Sequence, residues 1–172
     1  MVPFGEESDG FPDPSPDGTS IAFTRIDRSA ERVYVGRAGG GAAKLLAESP
    51  GALPKWSPDG KRIVFAGNRG YYGGIFVVNA DGSDLHRVSE FGGWPVWWPD
   101  GMKIGFVVIG RNGDQEIHTI PVDGGSPRAI TGLAFNGSNH PFDVSPDGKT
   151  LVTTNAVHVS DEIWLLEPRQ RK

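Results

Sequence analysis

Residues 54–65 read Pro-Lys-Trp-Ser-Pro-Asp-Gly-Lys-Arg-Ile-Val-Phe, a tight-turn tetrapeptide that is followed by a run of mostly apolar residues. The proline at the second position of the turn presets φ near -65°, and the glycine at the fourth position accepts a left-handed backbone. A short strand, a turn and a returning strand are therefore predicted from this stretch alone.

The same turn tetrapeptide occurs four times along the chain. It reads Ser15-Pro16-Asp17-Gly18, Ser57-Pro58-Asp59-Gly60, Trp98-Pro99-Asp100-Gly101 and Ser145-Pro146-Asp147-Gly148, at spacings of 42, 41 and 47 residues. Each copy precedes alternating apolar runs that are separated by glycine-rich turns, which is typical of strands. Repeats of this length that contain four short strands are typical of β-propellers. We therefore predict an all-β fold without helices, a β-propeller of four four-stranded blades.

The chain is predicted to form a single propeller domain over residues 1–172. The blade repeats are expected at about residues 12–46, 54–88, 95–131 and 141–167. The fourth repeat stops before its outer strand, whereas residues 1–5 could supply that strand and remove an open sheet edge. Two arrangements remain open at this stage: a closed four-blade ring, and a segment of a larger propeller, including a homodimer that completes a larger ring.

Composition excludes several classes of function. The chain has a net charge of -4 and no basic stripe, so nucleic acid is not an expected partner. The absence of cysteine excludes disulfides, a thiolate nucleophile and cysteine-based zinc sites. No apolar run approaches the length of a membrane span, and the N-terminus lacks the features of a signal peptide. The compartment is not determined by these features.

The pattern Pro-x-Trp-Ser-Pro-Asp-Gly-Lys-x-Ile-x-Phe at residues 54–65 resembles the WD40-like (PD40) repeat of TolB-type β-propellers. The resemblance covers essentially the whole chain. Such propellers occur in the periplasmic TolB protein, in the gating domains of prolyl oligopeptidases and tricorn-type proteases, and in sensor-like tails of bacterial Ser/Thr kinases. The resemblance implies a non-catalytic scaffold or sensor, periplasmic or extracytoplasmic, with a protein, peptide or small polar ligand. The alternative is a gating or accessory propeller of a larger enzyme.

Strand direction alternates within a blade, so the tight turns share one face of the disc and the remaining loops share the other. The second face carries the segments that differ most among the repeats, which is the usual arrangement of a binding surface. Aromatic and arginine side chains are favoured contact residues. The candidate binding residues on this face are Arg69, Tyr71, Tyr72, Trp94, Arg111, His140 and His158.

No catalytic residue, metal or cofactor is predicted. The chain has no Gly-x-Ser-x-Gly motif of the kind that carries a serine nucleophile. The stretch Asn139-His140-Pro141 weakly resembles the metal-binding histidines of oligogalacturonate lyases, but only one histidine matches. A manganese or zinc site requires three or more convergent ligands. A metal-dependent lyase is therefore the weaker alternative.

Two adjacent tryptophans open the third turn. Trp97 matches Trp56 in the repeat and is predicted to lie in the core between blades. Trp98 replaces the serine of the turn, so its side chain must lie either between blades or on the tight-turn face. An exposed patch at Trp98 would indicate assembly with another surface.

Overall fold

The computed structural model describes residues 8–27, 30–67, 73–110, 113–135, 142–157 and 160–166. This part of the chain forms strands and turns and contains no helix, and hence no helix that could span a membrane. The strands are β1 (Ser8–Pro14), β2 (Ser20–Asp27), β3 (Ala30–Arg37), β4 (Lys44–Leu45), β5 (Gly51–Trp56), β6 (Arg62–Gly67), β7 (Ile75–Asn79), β8 (His86–Ser89), β9 (Gly93–Trp97), β10 (Lys103–Ile109), β11 (Gln115–Pro121), β12 (Arg128–Phe135), β13 (Phe142–Val144), β14 (Leu151–Val157) and β15 (Ser160–Leu166).

Each repeat forms one antiparallel sheet, and the strands follow one another in chain order across it. The sheets are β1-β2-β3-β4, β5-β6-β7-β8, β9-β10-β11-β12 and β13-β14-β15, the last with three strands among the described residues. The predicted all-β propeller blades are thereby confirmed. The predicted closing strand at residues 1–5 lies outside the described residues.

The turn between the first two strands of a blade is fixed by hydrogen bonds within the tetrapeptide. In the second blade, Ser57 Oγ donates to Asp59 Oδ1 at 2.6 Å and accepts from the Arg62 backbone N at 2.9 Å. The Gly60 N donates to the Ser57 O at 2.9 Å, and Gly60 has φ of 69°. The same serine-aspartate pair recurs at Ser15 and Ser145. The left-handed glycine predicted for each turn is confirmed.

The serine-aspartate pairs also set the electrostatics of the tight-turn face. Donation by the serine hydroxyl holds the pKa of the paired aspartate below its ordinary value at Asp17, Asp59 and Asp147. Backbone N–H donation two residues later adds to the effect. The hydroxyl of Ser83 lowers the pKa of Asp81 in the same way in a later turn. These carboxylates are therefore part of the turns' own hydrogen bonding.

The apolar core lies between the blades, because alternate strand residues point to opposite faces of each sheet. Ala22 and Val33 of the first blade pack with Ile63 and Phe65 of the second. Similar clusters join the second blade to the third and the third to the fourth. Burial of one such large apolar side chain contributes about 1.5 to 3 kcal/mol. The blades are thus held to one another mainly by apolar contacts.

An aromatic pair spans the second and third strands of three blades. Phe23 is directly opposite Tyr34, and Phe65 is opposite Phe76 in the second blade, where the rings stack at 5.5 Å. In the third blade His118 takes the second position, 6.1 Å from the ring of Phe106. His118 is only 16% exposed, and its Nε2 lies 3.0 Å from Glu116 Oε2. His118 therefore takes the place of the second aromatic ring in this pair.

The two tryptophans of the third turn have different surroundings. Trp97 is 6% exposed in the core between the second and third blades, as predicted, and its Nε1 donates to the Lys55 O at 2.9 Å. Trp98 packs against the cluster that contains Phe142 and Leu151, between the third and fourth blades. Trp98 therefore lies between blades, which is one of the two positions expected for it.

Candidate functional site

The innermost strands β1, β5, β9 and β13 border one cavity of about 1010 Å³, which we call the central cleft. Its lining is dominated by aromatic rings and prolines. The aromatic residues are Phe11, Trp56, Trp94, Trp97 and Phe142, and the prolines are Pro12, Pro54, Pro58, Pro95, Pro99 and Pro146. Concave apolar surfaces of this size are the usual location of ligand sites.

Three bulky residues occupy equivalent positions in the central cleft, four residues before each turn. Phe11, Leu53 and Trp94 have φ of 51°, 59° and 52°, the left-handed region that large side chains rarely adopt. We call these three residues the apolar collar. In β1, β5 and β9 the pairing register shifts at this position, which marks a β-bulge. Such a backbone costs about 1 to 3 kcal/mol per residue and is concentrated at functional sites.

Contacts from other blades hold the collar in place. Thr24 is 2% exposed in the first blade, and its Oγ1 accepts a hydrogen bond from the Leu53 backbone N at 3.1 Å. The rings of Phe11 and Trp94 meet edge to face, with centroids 6.2 Å apart and an interplanar angle of 84°. Because Phe11 belongs to the first blade and Trp94 to the third, this contact spans the cleft. The collar is therefore a product of the assembled blades.

The charged groups that line the cleft are few. Asp13 Oδ1 lies 2.9 Å from Lys55 Nζ, and Asp13 Oδ2 accepts from the Trp56 backbone N at 2.7 Å. Asp143 is exposed, and its Oδ1 accepts from the Val144 backbone N at 2.8 Å. Since Lys55 offsets Asp13, the described lining carries one excess negative charge at Asp143. The surface is therefore suited to apolar contacts, and it carries one acidic group, Asp143.

Of the residues predicted to bind, Trp94 is described and lies on β9, where its side chain lines the central cleft. It is on an innermost strand and not on one of the variable loops between strands. The other six predicted residues, Arg69, Tyr71, Tyr72, Arg111, His140 and His158, lie outside the described residues. The structure brings Trp94 together with Phe11 and Leu53 instead.

Phe11 and Leu53 were missed by the sequence reasoning. The signal was present as a large apolar residue followed by proline, at Phe11-Pro12, Leu53-Pro54 and Trp94-Pro95. When the repeats are aligned on the turn tetrapeptide, the three pairs occupy the same position relative to the turn. This shared position does not predict the left-handed backbone that makes the three residues unusual.

Metal ligands are not clustered in the described ranges, where no group of three or more histidine, aspartate or glutamate side chains could hold an ion. His86 lies on the outer strand β8 and is partly exposed. A manganese or zinc site needs three or more converging ligands. The described side chains therefore do not fit such a metal.

Four-stranded blades around an apolar cleft define a β-propeller, and a family model extends this assignment. The model of the TolB beta propeller domain, PD40, matches residues 10–171, and the chain belongs to this family. A relative from Agrobacterium fabrum, the uncharacterized protein Atu1656, is 31% identical over 144 residues, which are 80% of this chain and 48% of the relative. The uncharacterized peptidase YuxL of Bacillus subtilis is 25% identical over 138 residues, 72% of this chain and 21% of YuxL.

Solved structures show the same fold. TolB from Acinetobacter baumannii has a TM-score of 0.78 at 20% identity, over 92% of this chain and 40% of that chain. A protein from Agrobacterium tumefaciens that was assigned as TolB gives 0.76 at 26% identity, over 90% and 59%. An oligogalacturonate lyase in complex with manganese gives 0.74 at 16% identity, over 97% and 52%. The chain thus spans between 21% and 59% of the length of these relatives.

Proposed function

We propose that this propeller is a non-catalytic binding module that captures a peptide or a segment of a partner protein in the central cleft. The observation that carries the proposal is the apolar collar: Phe11, Leu53 and Trp94 line one cavity of about 1010 Å³ in a strained backbone. Phe11 is 45% exposed there, a large apolar ring that the fold leaves partly uncovered. Aromatic residues of this kind dominate binding energy at protein interfaces.

The likeness to TolB supports an extracytoplasmic location for this binding. The predicted loop residues Arg69, Tyr71, Tyr72, Arg111, His140 and His158 stay part of the proposal as further contacts. Small polar ligands are the less favoured class, because the cleft offers few polar side chains beyond Asp13, Lys55 and Asp143.

Panning of a random peptide library on the immobilised chain tests the proposal. We expect enriched peptides whose affinity falls about tenfold, or 1.4 kcal/mol, in Phe11→Ala or Trp94→Ala. Phe91→Ala is the matched control, since Phe91 is 43% exposed and does not line the cleft. Equal affinity for all three variants and the unaltered chain would show that the cleft is not the site.

An accessory propeller of a larger enzyme is the second candidate, and the match to the peptidase YuxL favours it. In that case the cleft would admit or exclude a substrate chain of a separate hydrolase domain. The coding sequence on both sides of this chain tests the idea. A flanking domain with a Gly-x-Ser-x-Gly nucleophile motif would support the idea. Flanking sequence without a hydrolase domain would contradict it.

The metal-dependent lyase is not proposed from the described residues, because they do not provide the required ligand group. His140 lies outside them. Metal analysis of the purified chain with manganese, compared with His140→Ala, is the direct measurement. Stoichiometric manganese that is lost in the variant would revive the lyase alternative.

A further inference from the structure

Among the described strands, the innermost strand of each blade has one edge that is not paired within its sheet. In the strand order of every sheet, β1, β5, β9 or β13 is the terminal strand, and the residues of these strands line the central cleft. A free edge of this kind presents backbone N–H and C=O groups and is a usual template for an added strand. A bound peptide could therefore extend a blade, provided that the edges were regular.

The edges that face the cleft are interrupted at the same place in three blades. Pro12, Pro54 and Pro95 follow the collar residues, and proline has no N–H to donate to an added strand. The β-bulge at the same position breaks the regular spacing of the remaining groups. Strand addition is therefore disfavoured along these edges.

A ligand of this cleft must then bind mainly through side chains. Aromatic and proline rings make up most of the lining, with Phe11 and Trp94 in contact across it. A polyproline II segment suits such a surface, because its backbone stays solvated, forms no internal hydrogen bonds and is ordered before binding. Proline-rich segments dock on aromatic-lined grooves for this reason.

The charge of the lining restricts the ligand further. Asp13 is offset at 2.9 Å by Lys55, the one cation among the described residues that line the cleft, whereas Asp143 on β13 is exposed. A cationic side chain beside the prolines would complement this carboxylate, with a modest effect because the group is exposed.

Resting on the proposed peptide-binding function, we propose that the central cleft binds a proline-rich segment in the polyproline II conformation that carries a basic residue. A prolyl ring or another apolar side chain packs against the collar residues Phe11, Leu53 and Trp94. The basic residue lies towards Asp143. The prolines that follow the collar prevent the same segment from binding as an added strand.

Calorimetric titration of the full chain with the capped heptapeptide PPPRPPP tests this proposal, with GGGRGGG and VTVRVTV as matched peptides. We expect PPPRPPP to bind at least about tenfold more tightly than either, since its conformation is already ordered. Phe11→Ala and Trp94→Ala should each weaken its binding about tenfold, and Asp143→Asn about threefold. Phe91→Ala should leave its affinity unchanged, and circular dichroism would verify that each variant is folded.

Other results would overturn the proposal in distinguishable ways. Preference for VTVRVTV would show that the ligand adds as a strand, and peptides from library panning that bind while PPPRPPP does not would show another side-chain class. In both cases the peptide-binding function stands. If a tri-galacturonate bound in the cleft and no peptide did, both the ligand class and the peptide-binding function would be wrong.

Discussion

The Trp98 ring packs against Gly105, and it can do so because Gly105 has no side chain. A β-carbon built on Gly105 would be 2.7 Å from Cζ3 of Trp98 and 3.0 Å from Cζ of Phe142. The turns of the other blades have serine in place of Trp98, and Val64 of the second blade occupies the position of Gly105. In the third blade one indole ring therefore takes the place of a serine hydroxyl and a branched side chain, which the second blade has at Ser57 and Val64.

Replacement of Gly105 by valine is expected to destabilise the chain by about 1 to 3 kcal/mol, because the added methyl groups overlap the Trp98 and Phe142 rings. The same change in a Trp98→Ser background should cost at least about 1 kcal/mol less, since the indole is gone. Urea unfolding of the four chains of this double-mutant cycle measures the coupling. Additive effects would contradict the pairing.

Ser57→Ala is expected to lower the free energy of unfolding by about 1 to 3 kcal/mol. Ser57 is 1% exposed, and its hydroxyl donates to the Asp59 carboxylate and accepts from the Arg62 backbone N, so its loss leaves a buried donor without its partner. Ser126→Ala, at an exposed turn serine, is the control and should change the unfolding midpoint little. Equal midpoints for the two variants would refute this role.

The stability of the chain is expected to fall as the pH drops below about 4. The pKa values of Asp17, Asp59 and Asp147 are lowered by the turn serines, so the folded chain binds fewer protons than the unfolded one near the ordinary value of 3.8. Their contribution is complete above that value and is lost as the pH falls through the lowered pKa values. Urea midpoints at pH 7, 5 and 3 measure this dependence.

In Ser57→Ala the pKa of Asp59 should rise, because the hydroxyl is the largest cause of its lowering. Titration of the aspartate side-chain carbons by NMR follows each group separately. Asp147, whose own serine is intact, is the internal control. An unchanged Asp59 titration would assign the lowering to the backbone N–H of Lys61 instead.

Asp13→Ala is expected to cost about 1.5 to 3 kcal/mol, because the carboxylate accepts from the Trp56 backbone N across the first blade boundary. Lys55→Met should cost less than about 1 kcal/mol, since the lysine side chain is 48% exposed and the ion pair is solvated. Unfolding midpoints of the two variants separate the hydrogen bond from the charge pair. A larger loss in Lys55→Met would reverse this assignment.

The four repeats, the turns and the all-β blades follow from local features of the amino-acid sequence. A turn such as Ser57 to Gly60 is fixed by hydrogen bonds among residues at most five positions apart, so its chemistry is legible in the sequence. Alternation of apolar residues likewise fixes which strand residues enter the core. Trp97 was correctly placed between blades for this reason.

The collar and the position of Trp98 depend on contacts between blades, which the sequence does not reveal. The left-handed backbone of Leu53 is coupled to a bulge and to a hydrogen bond that its backbone N donates to Thr24 Oγ1, 29 residues earlier in another blade. Phe11 meets Trp94 only because the intervening blade sets the separation of their strands. Local preference opposes such a conformation at large residues, so it exists only where contacts between blades impose it.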